Sequence, residues 1–341
     1  MIRESISKLM QGENLARDEA EGVMNEIMDG AATNAQMASF LTALRLKGET
    51  VDEIAGCAHA MRDKAIAVTP KRTDLVDIVG TGGDGANTFN ISTTAMFVVA
   101  GAGLGVAKHG NRAVSSASGS ADVLESLGVI IDLTPEQMAS CVDEVGVGFL
   151  FAQKLHPAMK NVGPVRKELG IRTVFNILGP LTNPARTQAQ VVGVYDPNLL
   201  LTMASVLRAM GVISAYVFHS HDGVDELTTT SINRIARFDN GVIHEDELDA
   251  QTLGLKKARR DDLRGSSPQD NAKITLDILS GADRGPKRDV VLLNAAAALL
   301  VGGKEKDLHA GLARANESID SGKALRALDG LVAKSQGYRN S

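Results

Sequence analysis

Residues 76–128 carry two phosphate-handling elements: VDIVGTGGDGANTFNISTTAMF and, further on, GLGVAKHGNRAVSSASGSADVLESLG. The first has a run of small residues whose backbone N–H groups can face a phosphate. Hydroxyl and amide side chains then open a helix, whose positive dipole end attracts anions. The second adds Lys108, His109, Asn111 and Arg112, the charge and donors that a heavily charged phosphoester needs. Together they imply a substrate with more than one phosphate group. A third stretch, HSHDGVDELT, places Asp225 and Glu226 side by side after an apolar run. Carboxylates facing a phosphate pocket are repelled by it unless a divalent cation lies between, and Mg²⁺ is the usual ion. The competing reading is a solvated acidic loop.

The residues argue against two familiar motifs. Gly80 to Gly85 spells GxGxxG, but the dinucleotide fingerprint needs a carboxylate about 20 residues on, at the end of the next strand. That strand, LGVAK, ends in Lys108. No GK[ST] follows the glycines, so this is not a Walker loop. His219 and His221 resemble a metal pair, yet no third soft ligand accompanies them, and a structural role is the simpler reading. His109 and Asn111 fit either substrate donation or turn stabilisation.

The chain has 341 residues, 44% hydrophobic, enough for one large domain and a small one. Aromatics make up only 3% and Trp is absent, which argues against base-stacking platforms. With 36 Lys and Arg against 41 Asp and Glu, the formal charge is -5, so no general nucleic-acid footprint exists. Cys57 and Cys141 lack metal-ligand spacing and read as small buried hydrophobes in a reducing compartment. The first residues show no uninterrupted apolar leader and no stretch reaches membrane-spanning length. A cytoplasmic protein without membrane contact is expected.

The elements that must position these residues follow from periodicity. IRESISKLM, ARDEAEGVMNEIM, NAQMASFLTALRLKG and VDEIAGCAHAMRDKA repeat apolar residues at helical spacing, with capping boxes at Thr33/Gln36 and Thr50/Glu53. Gly30 and Gly48 read as stops. From Asp74, short β-branched runs alternate with helices, implying an α/β lobe around a central, mostly parallel sheet covered on both faces. Residues 156–185 break the alternation, being helical, Pro-punctuated and strandless. They are expected to cross back to the helical lobe, which would then be discontinuous. The expected division is 1–72 helical, joined by crossing segment 160–186, with 73–159 and 187–341 forming the α/β lobe. GSSPQDN, 265–271, reads as a loop. In an open parallel sheet ligands sit beyond the strands' carboxyl ends, where GTGGD, KHGNR and DGVDELT all fall.

DIVGTGGDGANTFNIST, KHGNRAVSSASGSADVLESLG, VRKELGIRTVFNILGPLTNP and HSHDGVDELT, in this order and spacing, closely resemble the anthranilate phosphoribosyltransferases, over essentially the whole chain. The resemblance implies a nucleoside phosphorylase and phosphoribosyltransferase-like fold. It also implies transfer of phosphoribosyl from 5-phosphoribosyl 1-pyrophosphate to anthranilate, releasing pyrophosphate, with two Mg²⁺ per subunit on a homodimer whose helical lobes meet. The diphosphate loop would be Gly80, Thr81, Gly82, Gly83 and Asp84. Further phosphate and ribose contacts would fall on Thr88, Asn90, Ile91, Ser92 and Thr93. They would continue on Lys108, His109, Gly110, Asn111, Arg112, Ala113, Val114, Ser115, Ser116 and Ser120. Ser92 would assist one magnesium, and Asp225 with Glu226 hold the other. Anthranilate would meet Gly80, Asn111 and Arg166, with His109, His156 and Pro180 lining its pocket. Lys108, Arg112 and Asp84 are the expected catalytic groups.

Pyrophosphate departure builds negative charge, so cations and N–H donors aimed there are what catalysis needs. An aromatic amine has a free lone pair at neutral pH, which accounts for the missing general base. Three rivals stay open at this point: a pyrimidine-nucleoside phosphorylase, a nucleic-acid-binding relative with a degenerate site, and a nicotinamide oxidoreductase.

Overall fold

The computed structural model describes residues 1–113, 117–239 and 241–339. Four helices open the chain: α1 (Ile2–Met10), α2 (Arg17–Met28), α3 (Asn34–Lys47) and α4 (Val51–Asp63). Both expected capping boxes form, Thr33 accepting from the Gln36 N–H and Thr50 from the Glu53 N–H. These bonds satisfy helix-start N–H groups that have no partner within the helix.

The α/β part follows as β1 (Leu75–Gly80), α5 (Ile91–Gly101), β2 (Gly105–Gly110), α6 (Ser120–Ser126), α7 (Pro135–Val145) and β3 (Val147–Phe151). After α8 (Ala152–Leu155), the crossing segment carries α9 (Gly163–Leu169) and α10 (Phe175–Leu178), and no strand. It returns to β4 (Ala189–Gly193), α11 (Leu200–Ala209), β5 (Ser214–Ser220), β6 (Asn233–Asp239) and β7 (Val242–Leu248). Four helices finish the chain: α12 (Pro268–Leu279), α13 (Pro286–Val301), α14 (Leu308–Asp320) and α15 (Lys323–Gly337).

The seven strands form one sheet in the order β3-β2-β1-β4-β5-β6-β7. The first five run parallel and the β6–β7 hairpin joins antiparallel, as the reading of a mostly parallel sheet requires. One face packs on α5, α7, α13 and α15, around Phe97, Val98, Leu293 and Leu331. The other face packs on α11, which also meets α4 of the bundle. Met203 and Leu207 of α11, Val192 and Val217 of the sheet, Val165 and Phe175 of the crossing segment, and Phe40 and Ile54 of the bundle belong to one continuous apolar core.

One local reading is corrected. GSSPQDN is a loop only to Ser267, which caps α12 by accepting the Asp270 N–H, with Pro268 in the first turn. Cys57 and Cys141 are buried free thiols.

Candidate active site

The strand order reverses between β1 and β4, the place where an open α/β sheet offers a crevice at its carboxyl end. Three loops gather there. Gly82 and Gly83 after β1 have φ of +71° and +75°, a region that disfavours side chains. The Gly82 N–H donates to Asp225 Oδ2 at 2.6 Å. The acidic loop lies directly on the strand ends, since a Cβ on Gly193 would fall 1.7 Å from the Asp225 carbonyl oxygen and one on Gly80 2.6 Å from its carboxylate. Ser92, in the first turn of α5, donates its N–H to Glu226 Oε1 at 3.0 Å, and the Asp225 N–H donates to Asp84 Oδ2 at 3.3 Å.

Asp84, Asp225 and Glu226 thus converge, the latter two buried. Burial, reinforced by Asp84 and Glu226, raises the Asp225 carboxyl well above the usual range. Burial pushes Glu226 up to about 7, although Lys108 and the Ser92 donors oppose it. Hard oxygen donors with more negative charge than their surroundings neutralise suit Mg²⁺, so the residues present fit that ion.

Lys108 joins the cluster from beneath. Only 2% exposed, it donates Nζ to the Ile78 carbonyl and to Ser92 Oγ, the latter at 3.3 Å. Burial lowers its pKa while Asp77, Glu226 and Asp225 oppose that. Its charge underlies the glycine loop and the start of α5. Arg112 follows just beyond the end of β2, held by α6. Its guanidinium pairs with Asp122 at 3.1 Å and Glu125 at 2.9 Å, both on α6, and lies over the Phe151 ring. The Ala113 N–H also donates to Asp122, and the Asn111 carbonyl accepts from Ser120 Oγ at 3.1 Å. Gly110 has Ser120 Oγ and Phe149 where a Cβ would go. Val114, Ser115 and Ser116 lie outside the described residues.

Thr88 bridges to Arg264, and Asn90 donates to the Ser118 carbonyl at 3.1 Å while accepting from Asn271 at 2.9 Å. Ile91 and Thr93 are buried on α5. Sequence reading missed Asn271 and Gly265, whose N–H donates to the Asn87 carbonyl. The Ser267-Pro268 helix start was the signal that could have found Asn271, one turn into α12.

The crossing segment closes the other side. His109 Nδ1 donates to the Gly179 carbonyl at 3.2 Å, beside buried Pro180, and its Nε2 lies 3.1 Å from His156 Nε2. Burial lowers both histidines, His109 to about 3 and His156 to about 4. Arg166, on α9, lies over the Phe175 ring at 5.3 Å and makes no ion pair among the described residues. Arg172 and Tyr195, not anticipated, meet at the mouth of the same crevice. Asn183 fastens the segment's end by donating to Asp77 Oδ2 at 2.7 Å and the Ala107 carbonyl at 2.8 Å. His219 Nδ1 donates to the Val194 carbonyl, a role within the sheet.

Residues 72–325 match the glycosyl transferase family a/b domain, and residues 3–65 its helical bundle domain. The anthranilate phosphoribosyltransferase of Symbiobacterium thermophilum is 53% identical over 324 residues, 95% of either chain. The crystal structure of that enzyme from Thermus thermophilus superposes with a TM-score of 0.93 at 44% identity, covering 97% of this chain and 99% of the other. The Saccharomyces cerevisiae enzyme, solved in complex with PRPP and Mg, gives 0.89 at 29% identity, covering 98% of both chains. With matches spanning both lobes and nearly every residue, the chain belongs to the glycosyl transferase family and, within it, to the anthranilate phosphoribosyltransferases.

Proposed function

We infer that this protein transfers the 5-phosphoribosyl group of 5-phosphoribosyl 1-pyrophosphate to the amine of anthranilate, releasing pyrophosphate, in tryptophan biosynthesis. The observation that carries the reading is the meeting of Gly82, Ser92, Asp225, Glu226 and Lys108 at the reversal of strand order.

The C1–O bond to pyrophosphate breaks as the amine lone pair closes on C1, negative charge grows on the departing oxygen, and the nitrogen, positively charged once the new bond forms, gives up one proton to solvent. Glycine-loop amides and the α5 N-terminus face that charge, and Lys108 adds a fixed positive charge behind them. Asp84, Asp225, Glu226 and Ser92 are the residues that would hold two Mg²⁺ ions, which when bound supply positive charge against the leaving group. Thr88, Asn90, Thr93, Asn111, Arg112 and Ser120 hold the remaining phosphate and the ribose. Arg166, half-buried and without an ion pair among the described residues, takes the substrate carboxylate. Neutral His109 and His156 pack the ring without adding charge. Binding of both substrates draws the crossing segment toward the sheet, so positioning dominates.

The protein works as a homodimer through α1 and α3. Their surface exposes Met10 (77%) and Leu46 (83%) beside a groove lined by Ile6, Leu9 and Ala43, an apolar face of the kind subunits bury. A cytoplasmic location follows from the proposed pathway, and no described helix is long and apolar enough to cross a membrane.

The decisive assay follows anthranilate fluorescence with the pure protein. Loss of signal is expected only when both phosphoribosyl pyrophosphate and Mg²⁺ are added. A signal unchanged with everything present, or phosphorolysis of uridine or thymidine instead, would overturn the assignment.

A further inference from the structure

Arg172 leaves the crossing segment just beyond Gly170, whose φ of +62° ends α9 in a fixed left-handed turn. Its exposed guanidinium reaches over the crevice and does two things at once. Nη2 donates to the Gly83 carbonyl at 2.5 Å, and Cζ lies 3.9 Å from the centroid of the Tyr195 ring. Tyr195 is itself bound to the glycine loop, its N–H donating to Thr81 Oγ1 at 3.0 Å, while the Thr81 N–H donates to the Gly193 carbonyl at 2.9 Å. The loop is thereby tied on one side to the end of β4. Among the described residues, Arg172 makes the hydrogen bond that ties it to the crossing segment.

We propose that Arg172, seated on Tyr195, is a positioning residue that couples the two substrate subsites by holding the glycine loop to the segment bearing Arg166. This deepens the function proposed above and rests on it for the identity of the substrates. The chemistry favours arginine specifically. A planar guanidinium donates along its edge while its face lies on an aromatic ring, whereas a lysine ammonium offers a point charge with no plane. Three glycines at positive φ, Gly82, Gly83 and Gly85, give the loop little intrinsic stiffness. The acidic loop already holds Gly82 and Asp84 through Asp225, and the strut on the Gly83 carbonyl fixes the peptide between them. Because the strut comes from the segment that supplies the amine-side cation, ordering either side orders the other. Arg172 touches neither reacting centre in this scheme. It acts through the loop.

The test compares Arg172→Ala, Arg172→Lys, Tyr195→Leu and Tyr195→Phe with the unchanged full-length protein, using two readouts. In amide hydrogen exchange of the free protein, residues 80–86 should exchange about tenfold faster in Arg172→Ala and Tyr195→Leu, with residues 75–79 of β1 and all of β4 unaffected. Tyr195→Phe keeps the ring and should keep the protection, while Arg172→Lys should resemble alanine. In steady-state kinetics, Arg172→Ala should raise KM for both substrates by a larger factor than it lowers kcat. Unchanged exchange at 80–86 would overturn the proposal, and so would a KM change confined to one substrate. Loosened exchange in a protein that never consumes anthranilate would remove the assigned function and leave the strut standing. An active protein with unchanged exchange would do the reverse.

Discussion

The Nε2 atoms of His109 and His156 lie 3.1 Å apart inside the crevice, and the His109 Nδ1 bond to the Gly179 carbonyl decides how they share a proton. With Nδ1–H donating to a carbonyl, His109 Nε2 carries a bare lone pair. His156 Nε2–H then donates to it, and both rings are neutral. The pair links β2 to the crossing segment without placing charge where an aromatic ring is expected.

That pairing sets an acid limit on stability. Both folded pKa values, about 3 and about 4, lie below the unfolded value, so the folded state takes up protons less readily. The stabilisation is complete above about pH 6.5 and is lost as pH falls toward the folded values, by roughly 1.4 kcal/mol per histidine per pH unit. Urea midpoints at pH 7.5 and 5.5 should show it. His156→Phe should flatten the acid slope by about one proton, and a slope equal to that of the unchanged protein would refute the assignment.

Arg166→Ala should raise KM for anthranilate by about tenfold or more, the loss of one charge-assisted pair, with little change in KM for phosphoribosyl pyrophosphate. Equal effects on both constants would place Arg166 in the general architecture instead.

Asp225→Asn with Glu226→Gln should have opposite effects with and without metal. Removing buried like charge should raise the thermal midpoint in EDTA, because both carboxyls are pushed upward by burial and neighbouring acids. The same change should abolish the rise in midpoint that Mg²⁺ with pyrophosphate gives the unchanged protein. An unaltered Mg²⁺ response would remove these residues as ligands.

Asn183→Ala should cost about 2–4 kcal/mol, since buried Asp77, raised to about 6 by burial, loses the amide on its Oδ2. Denaturant midpoints measure it, and adding Asp77→Asn should recover part of the loss. No recovery would mean the cost lies in the Ala107 contact.

Much of this was legible in the residues. Thr33 with Gln36 and Thr50 with Glu53 announced helix starts because capping is a local interaction, and the parallel strands showed as β-branched runs because both faces are covered. GTGGD and DEL were recognisable as two halves of one pocket because strand-end loops of a parallel sheet must share an edge. What escaped notice depends on contacts between distant residues. Arg112 was expected to face phosphate, and its pairing with Asp122 and Glu125 shows only once α6 turns back. Lys108 was expected beside phosphate, and its burial under Ser92 depends on the depth of β2 in the sheet. Asp77, within the apolar run DLVDIVG, should have raised the question of a partner, but Asn183 is 106 residues away. Arg172 lies within VRKELGIRTVFN and Tyr195 outside every motif, and nothing in either stretch names the other as a partner. Their pairing exists only because β4 lies next to β1.

The hydrocarbon interior that passes from Phe40 and Ile54 through Met203 to Val217 makes the bundle a poor candidate for excision. A fragment cut after α4 would be left with a greasy flank that α11 and the crossing segment normally shield, and it would aggregate sooner than stand alone. Parting the two would strip Phe40, Ile54, Met203 and Val217 of their shared cover, so movement that bends this seam costs less than movement that opens it.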